Sequence, residues 1–145
     1  MRVAGPNDIN EILELAYESG KDLGREFLDK ALLEYCCYVV IDKNNIVGAI
    51  IYSDNLEEIN IHQLFIQHEN KKEVIEKLFY AIDANDPLTI LINVDEEDLD
   101  MQIALRDFAK MKCTDIIKGL DKNYYHFQKV IKQNQFSGLV LKDER

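Results

Sequence analysis

The residues best placed to do chemistry in this sequence lie in the turn Gln67 to Glu73. It sits inside the stretch Glu57–Asp86, EEINIHQLFIQHENKKEVIEKLFYAIDAND, which reads as an apolar strand, a polar turn and an amphipathic helix. A helix N-terminus placed after a strand presents unpaired N–H groups and suits an anion. This turn contains no glycine, so it has the layout of a phosphate site without the residue that lets backbone approach the phosphate. His62, His68 and His126 show no mutual spacing that builds a metal site or a triad. A metal site from Cys36, Cys37 and one of those histidines has no zinc-type spacing behind it, and thiols buried on a strand are expected instead. The acidic run Asp95-Glu96-Glu97-Asp98 with Asp100 has two readings, a cation or basic partner and a hydrated complement to a helix N-terminus; the second is expected. The chain has neither a Walker-type loop nor a Gly-x-Ser-x-Gly elbow.

Bulk properties narrow the field. A chain of 145 residues suits one domain with its own core. A formal net charge of −10 opposes binding to nucleic acid, which needs a basic face to displace counterions. No apolar run approaches the length of a membrane span, and the first residues lack the basic-then-apolar order of a signal peptide. Three cysteines, two of them adjacent, make a poor disulfide framework, so a reduced, cytoplasmic protein is expected.

The elements that must hold the turn follow from periodicity. Arg2 to Gly5 is a short strand. Asn7 is read as a helix N-cap, ahead of an apolar face of Ile9, Ile12, Leu13, Ala16 and Tyr17. Gly20 and Gly24 break that helix, and a second runs from Glu26 to Glu34. Cys36 to Ile41 and Ile46 to Ser53 form a hairpin about Asp42-Lys43-Asn44-Asn45. Gly48 marks a close packing point or a bulge. In the next strand Ile59 and Ile61 share one parity and Leu64 and Ile66 the other. Either an extra residue at His62-Gln63 makes a β-bulge there, or the strand is buried on both faces. A helix from about Lys72 to Ile82 buries Val74, Ile75, Leu78, Phe79 and Ile82. Leu88 to Val94 reads as a buried central strand. A helix then runs to about Lys112 with Met101, Ala104, Leu105, Phe108 and Met111 inward. Thr114 to Lys118 and Tyr124 to Ile131 form a closing hairpin. Residues 132–145 form a polar tail, apart from Phe136 and Leu139-Val140-Leu141.

This order resembles the GNAT superfamily of N-acetyltransferases over about residues 2–131. Lys43-Asn44-Asn45-Ile46-Val47-Gly48-Ala49 is similar to that family's hairpin, Leu64-Phe65-Ile66 to the end of its fourth strand, and Ala104, Phe108 and Lys110-Met111 to its fourth helix. The resemblance implies an α/β fold with a mixed, mostly antiparallel sheet of about seven strands flanked by four helices. It also implies an acetyl-CoA loop of the form Arg/Gln-x-x-Gly-x-Gly/Ala, whose signature positions are Asn70, Glu73 and Ile75 here. None of the three matches, and Glu73 adds negative charge at the anion-facing helix end. Lys71 and Lys72 compensate in part. The family's fourth-helix tyrosine, a proton donor, corresponds to Phe108, which has no proton to give. Its helix-start asparagine corresponds to Met101, and its closing Gly-Phe to Lys112-Cys113. Glu57 or Glu58 would be the fourth-strand base, although both sit in an expected solvated turn. Tyr124 and Tyr125 are the remaining donors, with packing the commoner role for a strand tyrosine.

These departures lead to an expectation of a GNAT-like domain, residues 1–131, with a C-terminal tail, 132–145, in which catalysis has been lost. No catalytic, cofactor-binding or metal-binding residue is assigned, and no cofactor is expected. The protein would act as a structural or protein-interaction component, with a protein partner, an assembly or a second copy engaged through residues 132–145. Neither nucleic acid nor membrane is an expected partner. The closing helix and the Tyr125-His126-Phe127 strand are similar to GNAT-like proteins of bacteriophage particles, which would make it a virion protein. The alternative is an active acetyl-CoA-dependent N-acetyltransferase with a divergent cofactor loop.

Overall fold

The computed structural model describes residues 1–131. The expected contacts of the tail, 132–145, lie outside the described residues. In chain order the elements are β1 (Arg2–Val3), a 3-10 turn (Pro6–Asp8), α1 (Ile9–Glu18), α2 (Arg25–Glu34), β2 (Cys36–Asp42), β3 (Asn45–Asp54), β4 (Glu58–Ile66), α3 (Lys71–Asp83), β5 (Thr89–Asp95), α4 (Leu99–Asp107), β6 (Lys112–Lys118) and β7 (Asn123–Val130). The strands make one seven-stranded sheet in the order β1-β2-β3-β4-β5-β7-β6. All neighbours are antiparallel except β4 and β5. This is the mixed, mostly antiparallel α/β architecture expected from the sequence.

Each face of the sheet carries its own core. Ile12, Leu15, Ala16, Leu28 and Ala31 of α1 and α2 pack on Val39, Ala49, Ile51 and Phe65. Val74, Ile75, Leu78 and Ile82 of α3, with Met101 and Leu105 of α4, pack on Ile50, Ile59, Ile61, Leu64 and Ile90. Helices on both faces give the strands two apolar layers to bury, which is why β3 reads as a nearly continuous hydrophobic run.

Two irregularities interrupt the pairing of the central strands. In β3, Gly48 pairs with Val40 and Ile46 with Ile41, so Val47 is an extra residue. A Cβ on Gly48 would lie 2.4 Å from Val74 Cγ1. Gly48 is thus a close packing point beside a bulge, and α3 rests on bare backbone there. In β4, Gln63 pairs with Ile51 and Ile61 with Tyr52, leaving His62 unpaired. The parity change is therefore a β-bulge. It keeps Ile59, Ile61, Leu64 and Ile66 in one core despite their opposite parities.

Several local expectations are corrected. Asn7 does not cap α1; the chain enters through the 3-10 turn, where the Asp8 carboxylate accepts the Gly5 N–H at 2.7 Å and pairs with Arg2. That entry turns α1 so that Leu15 is buried and Tyr17 is 79% exposed. β5 is buried on one face only, through Ile90, Ile92 and Val94, while Asn93 is exposed. α4 stops at Asp107, not near Lys112. Lys110 takes φ 60°, and the Ala109 and Met111 N–H groups fold back onto the Ala104 and Leu105 carbonyls at 3.3 and 2.9 Å, a left-handed helix stop. Of the thiols only Cys37 is buried; Cys36 is half-buried and Cys113 exposed, and all three are free. Burial pushes the Cys37 thiol up to about 11, so it stays protonated and unreactive.

Candidate functional site

The parallel pairing of β4 with β5 runs from Glu58↔Thr89 to Ile61↔Ile92 and stops there. Beyond it β4 stays with β3 as far as Ile66, and β5 goes on with β7 as far as Asp95. The two strands therefore part at the bulge, and among the described residues the β4 edge past Ile61 has no strand on its β5 side. Alternate backbone groups along that edge face an open V. The V holds a cleft of ≈ 480 Å³, lined by His62, Gln63 and Leu64 of β4, by Ile92, Asn93, Val94 and Asp95 of β5, and by Tyr124 of β7, with Lys122 beside it. Gly20, Lys21, Asp22 and Leu23, from the connection between α1 and α2, close one side. A second hollow of ≈ 180 Å³ continues it towards α3 and α4, past Gln67, Lys71, Asp98 and Asp100. The two share Lys21, Leu64 and Met101.

Charge is distributed unevenly along this groove. Its walls carry Glu18, Asp22, Asp95, Asp98 and Asp100 against Lys21, Lys71 and Lys122. Every lysine is already paired across the groove: Lys21 with Asp98 at 3.7 Å, Lys71 with Asp100 at 3.6 Å and Lys122 with Asp95 at 2.7 Å. The Lys122 ammonium, with the Glu97 N–H, holds the Asp95 carboxyl below the usual carboxylate range. Asp98 also caps α4, its Oδ1 accepting the Met101 N–H at 3.2 Å, the helix-terminus role expected of the acidic run.

His62 sits at the apex of the V. Its ring stacks on Tyr35 with centroids 4.4 Å apart, and its Nε2 lies 3.1 Å from Ser53 Oγ. Burial against these neighbours pushes the imidazole below the usual histidine value. His68 is elsewhere, at the turn before α3. Its Nε2 lies 2.9 Å from Asp42 Oδ2, and its Nδ1 accepts the Asn70 N–H at 2.9 Å. The Asp42 carboxylate raises the His68 pKa and is itself lowered. His126 lies against Asn93 Oδ1 at 2.7 Å. The histidines are thus in three separate places, and among the described residues no group of three or more potential ligands is disposed to hold a metal ion.

The N-terminus of α3 is capped from within. Asn70 Oδ1 accepts the Glu73 N–H at 3.1 Å, while Asn70 Nδ2 donates to Glu73 Oε2 at 3.3 Å. This reciprocal pairing satisfies the amide that an anion would otherwise take. The Lys71 and Lys72 amides have no acceptor among the described residues, so two N–H groups of the first turn remain available. The turn holds no glycine, yet its first two amides stay open.

Residues named on sequence grounds separate clearly. Glu58 begins β4 at the closed end of the V, about 13 Å along the strand from His62. Its carboxylate accepts the Asn60 amide. Glu57 lies in the preceding turn. Neither reaches the cleft. Phe108 packs against the core at the end of α4 and brings no polar group. Tyr124 lines the cleft and Tyr125 packs on the core, as the register of β7 requires. Lys21, Asp22 and His62 were the site residues that periodicity missed; only the parity break marked His62.

No family model and no curated protein sequence matches this chain. Solved structures do. A GNAT-family acetyltransferase from Bacillus cereus superposes with a TM-score of 0.73 at 18% identity, covering 90% of this chain and 96% of that one. A Salmonella typhimurium structure described as an acetyltransferase with its cofactor acetyl-CoA gives 0.69 at 11%, covering 92% and 94%. An aminoglycoside 6'-N-acetyltransferase complexed with coenzyme A gives 0.65 at 16%, covering 92% and 99%. The fold is that of the GNAT N-acetyltransferases. At these identities the likeness establishes the GNAT fold and leaves the activity to the site. It corrects one expectation directly. The reading that no cofactor attends this scaffold is overturned by neighbours along almost the whole chain that were solved with acetyl-CoA or coenzyme A bound. The missing glycines alone misled, because the V and the free amides at α3 are built by other residues.

Among the described residues no helix is long and apolar enough to cross a membrane.

Proposed function

We propose that this protein is an acetyl-CoA-dependent N-acetyltransferase with a divergent cofactor loop. The observation that carries the reading is the open V at the His62 bulge, where β4 leaves β5 and a cleft of ≈ 480 Å³ remains. The V is the feature this reading requires, because only backbone groups that no strand already pairs are available to a ligand carbonyl. The residues present suit the ligand. The acyl end enters between β4 and β5, where unpaired β4 backbone groups can hold a carbonyl oxygen. The phosphates meet the Lys71 and Lys72 amides and side chains at the first turn of α3. Glu73 and the Asn70 cap weaken that end, and the expected consequence is modest affinity. The reading implies a cytoplasmic protein.

Calorimetric titration of the full chain with acetyl-CoA tests it. Binding in the micromolar range is expected; no heat up to millimolar ligand sinks the proposal. A second reading is favoured by one observation, the occupation of the α3 terminus by Asn70 and Glu73 together with Phe108 at the fourth-helix position. In that reading the chain is an interaction component, in a bacteriophage particle or another assembly, with its contacts made through residues 132–145 or with a second copy. Co-purification of a stoichiometric partner, lost when residues 132–145 are deleted, would favour it.

A further inference from the structure

We infer that His62 is the proton-handling residue of the cleft, and that the acceptor it serves is a primary amine carried on a cationic molecule. The inference rests on the transferase reading above and assigns the chemistry of that same cleft. Four features of the structure support it.

The first is position. His62 is the unpaired residue of the β4 bulge, at the point where the V opens. A bulge re-aims a side chain that a regular strand would leave flush with the sheet. The second is protonation. His62 contacts Tyr35 at the end of α2 and Ser53 of β3, and shares the cleft lining with Asp95 of β5 and Tyr124 of β7. The loop side adds Lys21, Asp22 and Lys122. Asp95 and Lys21 are each tied in an ion pair, so neither holds a charge on the imidazole. Although His62 is exposed at the cleft, partial burial against Tyr35 and Ser53 lowers its pKa, which favours the neutral form a general base needs. Nε2 lies against Ser53 Oγ, and in the tautomer that donates there Nδ1 carries the lone pair. The third is that, of the acid–base candidates named from the sequence, only Tyr124 shares the cleft lining with His62. The fourth-helix position holds Phe108, and Glu57 and Glu58 lie away from the V.

The fourth feature is charge. Carboxylates outnumber ammonium groups along the groove, and Asp22 has no ion pair among the described residues. A protein of net charge −10 attracts a cationic acceptor at long range, and Asp22 gives its second charge a place at the cleft mouth.

The transfer step then balances with one side chain. The acceptor nitrogen attacks the thioester carbonyl carbon, and its C–N bond forms as the carbonyl electron pair moves to oxygen. When that pair returns, the C–S bond breaks and the sulfur leaves as thiolate. The proton shed by nitrogen passes to His62 Nδ1 and from there to the sulfur. The products are an amide and a thiol, with His62 neutral again. No separate acid is needed, which accounts for a site that dispenses with the tyrosine.

The test uses the full chain with His62→Gln, which keeps a polar side chain at the bulge, and a second variant, Ser53→Ala. Acetyl-CoA binding by calorimetry should change less than threefold in both. Turnover with spermidine, read by thiol release, should fall at least 100-fold in His62→Gln. The acidic limb of the kcat/KM–pH profile, set below 6.5 in the native chain, should vanish. The His62 ring resonances, followed by NMR in the free protein, should titrate below 6.5 and move on adding spermidine. Asp22→Asn should raise KM for spermidine with little change in kcat and should leave a neutral amine such as glycinamide at high pH unaffected. Binding of acetyl-CoA with normal turnover in His62→Gln overturns the assignment while leaving the transferase reading intact. A His62 resonance titrating above 6.5 also overturns it. Equal use of cationic and neutral acceptors overturns the substrate class. Failure of acetyl-CoA to bind the native chain removes the transferase reading itself.

Discussion

Replacing Gly48 by alanine should destabilise this protein although alanine is the better strand residue. The added Cβ would stand 2.4 Å from Val74 Cγ1 and 3.3 Å from Leu78 Cδ1, where carbon atoms prefer about 3.5–4.0 Å. Val74 cannot simply swing aside. It is β-branched within a helix, so its χ1 is nearly fixed, and it is buried at 2% exposure. Relief therefore requires α3 to lift from β3, opening the contact between Leu78 and the sheet. Overpacking of this kind costs about 1–3 kcal/mol. Against it stands a gain of about 0.5–1 kcal/mol from removing a glycine from the unfolded chain. The expected net loss is about 1–2 kcal/mol, read as a lower urea midpoint at unchanged slope. Val74→Ala alone should also destabilise, by a cavity. The double variant Gly48→Ala/Val74→Ala should lose at least about 1 kcal/mol less than the sum of the singles, because each alteration removes the other's difficulty. A Gly48→Ala midpoint within experimental error of the native chain, or strictly additive singles, would refute the close approach of α3 to β3.

Glu73→Gln should strengthen acetyl-CoA binding about fivefold, since a unit charge at ~4 Å repels by roughly 1 kcal/mol even in water; an unchanged calorimetric Kd would show that the phosphates lie elsewhere. His68 should titrate above 6.5 by NMR, and Asp42→Asn should bring it down. A raised histidine stabilises the fold below its unfolded pKa and loses that contribution as pH rises through the folded value. Asp42, lowered, loses its own as pH falls through its folded value. The Asp42→Asn penalty in urea should therefore be larger near pH 5.5 than at pH 8.5, and the reverse order would refute the pairing. Asp98→Ala should cost about 1 kcal/mol by uncapping α4, with faster hydrogen exchange confined to the amides around Met101; protection unchanged there would mean that Asp98 is not the cap.

What the sequence revealed, and what it hid, divides along physical lines. The bulge was legible because burial must be kept on one face: with Ile59 and Ile61 on one parity and Leu64 and Ile66 on the other, only an extra residue keeps all four in a single core. The α3 face was legible because five apolar residues recur at helical spacing and all five are buried. The end of α4 was not, since it stops at Phe108–Lys110 with no glycine or proline to announce it; a lysine takes the left-handed position instead. Nor was the loop wall of the cleft. Gly20–Leu23 carries no periodicity, and its place depends on how α1 packs against β3 and β4. Tyr17 was misplaced for a related reason, because the 3-10 entry that rotates α1 leaves no hydrophobic signal.

The cofactor question turns on the same division. Strand separation beyond Ile61 is set by long-range order: β4 follows β3, β5 follows β7, and the bulge at His62 begins the divergence. The phosphate end is set by four consecutive residues, Asn70 to Glu73. The two features are separable, so replacing the glycines does not close the V. Their energies also differ in kind. An asparagine cap contributes about 1 kcal/mol to helix stability, and a phosphate that displaced it would return a stronger, charge-assisted interaction to the same amide. Glu73 subtracts roughly another 1 kcal/mol, and the Lys71 and Lys72 amides add two N–H groups that no described residue already uses. Each ~1 kcal/mol is about fivefold in affinity. On the transferase reading proposed above, the cap and Glu73 would weaken the cofactor site without abolishing it.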